Sequence, residues 1–132
     1  MIKVKQGRHT ITTKIAYIAG FFDGEGCIRI KKTKNSYYLW VAITNSNKVI
    51  LEEVKEMFGG QVRQAEKTVN KIVYHYLITC AEADDMLKVL IPFIKEKLPQ
   101  ALVATNFHKH KGKLTLEEKE DCYQTLIKLK KV

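Results

Sequence analysis

The stretch from Thr13 to Gly26 constrains this chain more than any other. Thr13 to Phe22 reads as an apolar helix, and it closes on Asp23-Gly24-Glu25-Gly26, two acids alternating with two glycines. Ala16, Gly20 and Gly24 stand four apart, so on a helix they share one face as a strip with almost no side chain. A strip of that kind lets two helix backbones approach closely. Asp23 and Glu25 fall at the C-terminal end of the helix, where the macrodipole is negative and a carboxylate is disfavoured. Acids placed against the dipole, beside glycines that end a helix, have two readings: a turn after a core helix, or a functional site. Spacing alone leaves both open.

Charge narrows the choice. The 132 residues suit one domain with a real core, and they carry a formal net charge of +9. That excess points to a polyanionic partner, most often nucleic acid. Apolar runs are short and interrupted by charges, so neither a signal peptide nor a membrane span is expected, and no membrane partner. Cys27, Cys80 and Cys122 are odd in number and far apart, which suits free thiols in a reducing compartment and gives no zinc spacing. The expected location is intracellular, cytoplasmic or organellar.

The rest of the chain follows in order. Met1 to Thr12, with Lys3, Lys5 and Arg8, is expected to be an irregular basic leader along a phosphate backbone. Cys27 to Thr33 alternates as a strand, Lys34-Asn35-Ser36 is turn chemistry, and Tyr37 to Thr44 alternates again. Asn45-Ser46-Asn47 offers N-caps for a helix striped by Ile50, Leu51, Val54, Met57 and Phe58, which Gly59-Gly60 stops. Gln61 to Glu66 and Ile72 to Thr79 form a second hairpin. Both faces of its second strand are partly apolar, so alternation does not choose between Tyr74/Tyr76 and Val73/His75/Leu77 as the inward set. A helix over about Glu82 to Ile91 ends at Pro92. Pro99 opens another that runs into the basic stretch His108 to Lys113, and Thr115-Leu116-Glu117-Glu118 is a capping box for the last. Helix–strand–strand given twice, then a helical tail, is an α+β pattern with helices on one face of an antiparallel sheet.

The uncovered face would carry Arg29, Lys31, Thr33, Tyr38, Trp40 and Arg63. Lysine and threonine are ordinary on a wet sheet face, but large aromatics there normally have something to touch. A two-stranded ribbon enters the DNA major groove, where Arg and Lys pair with guanine edges.

Ile18 to Gly26 resembles the motif of the LAGLIDADG homing endonucleases, in the variant with central aromatics and Glu as the penultimate acid. Two further blocks resemble the same family. One is Ala42-Ile43-Thr44-Asn45 with the helix ending Met57-Phe58-Gly59-Gly60. The other is Tyr74-His75-Tyr76 with the helix to Pro92-Phe93 and then Lys95 and Lys97. The resemblance covers roughly residues 13–102. It implies an αββαββα fold with a saddle-shaped sheet, a core over 13–97 and C-terminal helices over 98–132 within one domain.

The resemblance also implies the chemistry. With one motif only, the active unit would be a homodimer whose motif helices meet along Ala16, Gly20 and Gly24. Glu25 would then bind divalent metal, Mg²⁺ or another divalent cation, at the scissile phosphates, helped by the Gly24 carbonyl. Asp23 would be mainly structural. An active-site lysine matches Lys97, with Lys95 as fallback. A glutamine that orders active-site water in the family aligns with Ala42, leaving Asn45 as the nearest amide. The DNA readers would be Arg29, Lys31, Thr33, Tyr38, Trp40, Gln61 and Arg63, with Tyr74 and Tyr76 added by family register, and Lys34 on a phosphate. The implied function is intron-encoded, site-specific double-strand cleavage of a long pseudo-palindromic duplex by phosphodiester hydrolysis. A different class of function on this fold is a non-catalytic binder, either a maturase with intron RNA as partner or a transcriptional regulator.

Overall fold

The computed structural model describes residues 6–67 and 69–130, with only the backbone course given for 6–10 and 66. The elements run α1 (Gln6–Glu25), β1 (Gly26–Lys32), β2 (Tyr37–Asn45), α2 (Lys48–Phe58), β3 (Gln61–Lys67) and β4 (Ile72–Thr79). They continue with α3 (Cys80–Leu90), a short 3-10 turn at Ile91–Phe93, α4 (Leu98–His110) and α5 (Leu116–Lys130). The sheet is antiparallel throughout, in the order β1-β2-β4-β3.

The first helix is longer than its apolar run suggests. Residues 6–12, expected as irregular leader, are helical; Met1 to Lys5 lie outside the described residues. An apolar stripe also begins before Thr13. Ile11, Ile15, Ile18 and Phe22 recur at helical spacing, and the first two line an open groove with Met57, Phe58, Met86 and Val89.

Local chemistry fixes the other boundaries. Asn47 caps α2, its side-chain oxygen accepting from the Ile50 N–H. Thr115 and Glu118 close the expected capping box of α5: the Glu118 N–H donates to Thr115 Oγ1 at 3.1 Å, and the Thr115 N–H to Glu118 Oε1 at 2.9 Å. One hydrophobic cluster runs through the molecule, from Ile18 and Phe22 through Leu39, Val41, Ile43 and Ile78 to Phe107 and Leu126.

Gly26 carries the sharpest constraint. Here α1 passes into β1 without a loop, over the fully buried Phe22 ring. A Cβ on residue 26 would overlap that ring and lie 2.7 Å from the Phe22 carbonyl oxygen. Gly26→Ala is therefore expected to destabilise by about 2–3 kcal/mol, lowering Tm by roughly 10 °C in a thermal melt. An unchanged Tm would show that the junction is looser than this packing requires.

Candidate nucleic-acid interface and the end of the first helix

Pairing register decides what each sheet face carries. Ile43 pairs with Tyr76 and Val41 with Ile78, so these residues share the helix-covered face. On the open face Arg29 pairs with Trp40, Lys31 with Tyr38, Thr44 with His75, and Arg63 with His75. Trp40 is the centre of this surface. The Lys31 ammonium lies 4.4 Å from its ring centroid, the Arg29 guanidinium 5.7 Å, and the His75 ring stands edge-on at 6.4 Å. Cation–π contacts of this exposed kind contribute about 0.5–1 kcal/mol each, enough to keep the side chains upright on the sheet. Among the described side chains of this face none is acidic.

Two expected readers must be withdrawn. Tyr76 is fully buried and donates its hydroxyl to the Gly59 carbonyl at 2.7 Å; burial, then the nearby Glu82 carboxylate, pushes its phenol well above the ordinary value. Tyr74 shares that covered face, packed against the core under the Lys48 ammonium. In their place the open face presents His75, with Val73 and Leu77 on the same parity. Thr33 is exposed at the hairpin tip, but its hydroxyl is bonded within the turn to Ser36, so it shapes the tip beside the exposed Lys34. Gln61 and Arg63 are exposed on the open side of β3.

At the end of α1 the two acids have separate surroundings. Asp23 Oδ2 accepts from the Lys95 N–H at 2.9 Å and the Glu96 N–H at 3.0 Å, and Oδ1 from the Lys97 N–H at 2.8 Å. The Lys97 ammonium then donates to the Asp23 carbonyl at 2.7 Å. Partial burial raises this carboxyl, but the three backbone donors and the Lys97 charge outweigh it and hold it below its ordinary 3.8. Asp23 thus clamps the segment before α4 and brings Lys97, rather than Lys95, onto the end of α1.

A group whose folded pKa is depressed releases its proton more readily in the native state, so stability rises with pH through that range. The Asp23 contribution is complete above about pH 4 and is lost as pH falls through the depressed value. Asp23→Asn is expected to cost roughly 2 kcal/mol at neutral pH, with its melting curve converging on wild type in acid. A constant difference at all pH values would contradict the clamp.

Glu25 differs. It is exposed and has no hydrogen-bond or ion-pair partner among the described residues. Ala16, Gly20 and Gly24 are exposed along α1, and a Cβ at either glycine would meet nothing within 4 Å. Ala42 is buried at the middle of β2, and the Asn45 side chain is turned to the Asn47 N–H at 2.8 Å, so the expected supporting amide at Asn45 is committed to the α2 cap instead. Among the described residues no three His, Cys, Asp or Glu side chains gather in one place. None of the described helices is long and apolar enough to cross a membrane.

Comparison with known proteins agrees with this fold. No curated protein matches the sequence. Among solved structures, the homing endonuclease I-CvuI, crystallised with the I-CreI target and magnesium, superposes with a TM-score of 0.76 at 21% identity, over 89% of this chain and 82% of that one. The archaeal intron-encoded homing endonuclease I-Vdi141I, complexed with DNA, gives 0.70 at 21% identity over 92% and 84%. The LAGLIDADG meganuclease I-AabMI, bound to uncleaved DNA, gives 0.63 at 26% identity, over 87% of this chain but 42% of that one. The family model described as LAGLIDADG endonuclease matches residues 18–111, which take in the end of α1, both hairpins and the Asp23–Lys97 clamp. With that match over most of its length, the chain belongs to the LAGLIDADG endonuclease family.

Proposed function

We propose that this protein is a homodimeric, Mg²⁺-dependent homing endonuclease that makes a double-strand break in a long, two-fold-related DNA target. One observation carries the reading: an exposed, unpartnered Glu25 and a clamped Lys97 stand together at the end of α1. The same helix end passes directly into the basic-aromatic sheet face.

The donor set suits a hard cation. Glu25 supplies carboxylate oxygens and the last turn of α1 supplies carbonyls such as that of Gly24, at the negative end of the helix dipole. One chain offers few such ligands, so target phosphates and the second copy's Glu25 would complete the shell. When bound, the ion neutralises charge on the phosphoryl group and lowers the pKa of its water. Glu25 would hold it, Lys97 would add positive charge near the reacting phosphate, and Asp23 positions Lys97. Close approach of the two motif helices along Ala16, Gly20 and Gly24 would bring two such ends to one axis.

Each sheet would lie in the major groove of one half-site, with Arg29, Lys31, Tyr38, Trp40, Gln61, Arg63 and His75 toward base edges and Lys34 on a phosphate. The three cysteines are unpaired and half-buried, in keeping with a reducing intracellular setting. Selection from a randomised duplex library tests the reading. Enriched sequences should contain two half-sites related by a two-fold axis, and Arg63→Ala should relax the same position in both halves. No enrichment of any duplex, with structured RNA retained in a parallel selection, would favour a maturase and overturn it.

A further inference from the structure

The C-terminal helix reaches the same helix end from the other side. α5 is pinned along the edge strand β1: Glu120 accepts from the Lys32 ammonium at 2.8 Å and from the Tyr37 hydroxyl, Tyr123 stands edge-on to Tyr37 at 6.2 Å, and Leu126 is buried. From Glu120 to Lys130 the helix advances about 15 Å, and from Lys32 back to Cys27 the strand spans about 17 Å. The two therefore run antiparallel in step, and Lys130 arrives at Cys27, its Nζ 3.4 Å from the sulfur.

Between the end of α1, the start of α4 and the last turn of α5 lies an open cleft of about 380 Å³. Gly26, Cys27, Glu96, Lys97, Gln100 and Lys130 line it. The Arg29 Nε also lies 3.4 Å from the Cys27 sulfur, so two like charges converge on one weak acceptor. Neither has an ion-pair partner among the described residues. Lys97 joins Lys130 as a second positive group on the cleft wall, with Arg29 reaching the same sulfur from beside the cleft; Gln100 offers an amide donor, against one acid, Glu96. Such a convergence of positive groups is chemically suited to an anion.

We propose that Lys130 holds a backbone phosphate of the bound duplex in this cleft, next to the phosphate to be cut, and is a positioning residue supplied by the C-terminal helix. The inference rests on the endonuclease reading above, yet Lys130 lies outside the family-matched span of residues 18–111. An ordinary alternative for a lysine in the last helical turn is interaction with the helix dipole. Lys128 shares that turn and is exposed, but it does not line the cleft, so it is the control.

The test is the salt dependence of binding to a random-sequence duplex, followed by fluorescence anisotropy for wild type, Lys130→Ala, Lys130→Arg and Lys128→Ala. Loss of one phosphate contact reduces the slope of log affinity against log salt by about 0.9. Lys130→Ala should show that reduction, Lys130→Arg should restore it, and Lys128→Ala should match wild type. On a selected target, Lys130→Ala should also lower kcat/KM by about 10-fold, the usual size for one charged contact. A wild-type slope in Lys130→Ala overturns the inference, as does an equal reduction in Lys128→Ala. If wild type itself shows no salt-dependent duplex binding, the endonuclease reading fails instead.

Discussion

Glu25→Gln is expected to abolish cutting while leaving fold and DNA affinity in place. The side chain is exposed and makes no bond to the described residues, so the change costs within about 0.5 kcal/mol of stability. The amide has nearly the same shape but no charge, and it is a poor ligand for a hard cation. Losing several kcal/mol of charge stabilisation at the phosphate slows hydrolysis by about 10³-fold or more. Supercoiled plasmid carrying a selected site would report cutting, and anisotropy would report binding. The pairing of the two readouts matters, because a variant that neither binds nor cuts would indicate a folding defect rather than a missing metal ligand.

The second large effect concerns the small-residue strip. In a single chain a side chain on Gly20 meets open space, so Gly20→Leu costs the monomer nothing and gains about 1 kcal/mol of helix propensity. In a homodimer packed along this strip the same change enters twice at a closely packed axis. Overpacking of about 1–3 kcal/mol at each copy weakens association roughly 100-fold or more. Sedimentation should show the variant shifting from dimer to monomer with its melting temperature at low concentration held or raised. Cutting should fall with the dimer. A variant that sediments as wild type would place the subunit contact elsewhere.

These two residues also show how much of the molecule was legible in the sequence. The alternation of helix and hairpin, the Asn47 cap, the reciprocal Thr115–Glu118 box and the Trp40 face all follow from patterns local to a few residues. β4 was not legible in this way. Its two faces are both partly apolar, and only pairing of Ile43 with Tyr76 puts the tyrosines under the helices and His75 in the open. Register is a property of two strands, and a one-residue shift reverses every side chain. The Asp23 clamp was hidden for a related reason, since its partners are backbone N–H groups more than seventy residues away that no side-chain pattern announces. Lys130 was hidden because it reads as one more lysine at the end of a helix. Its place at the cleft depends on how Glu120, Tyr123 and Leu126 lay α5 along β1.

The extended start of α1 teaches the converse. Residues 6–12 carry no strong helical pattern alone, yet Ile11 and Ile15 continue the stripe of Ile18 and Phe22 along the groove beside α3. Ile15 is half-buried there and Ile11 remains 61% exposed, so this end of the helix has only partial burial behind it.

The measurement closest to the central claim is the mapping of DNA ends. The protein and Mg²⁺ would be incubated with duplexes selected for binding, and both strands sequenced at the break. Two acids brought to one axis by paired motif helices predict one break in each strand, separated by a fixed short stagger and centred on the two-fold axis of the half-sites. Bound duplex that stays intact in Mg²⁺, or breaks scattered without relation to that axis, would contradict the claim that Glu25 from two copies forms a single cutting centre.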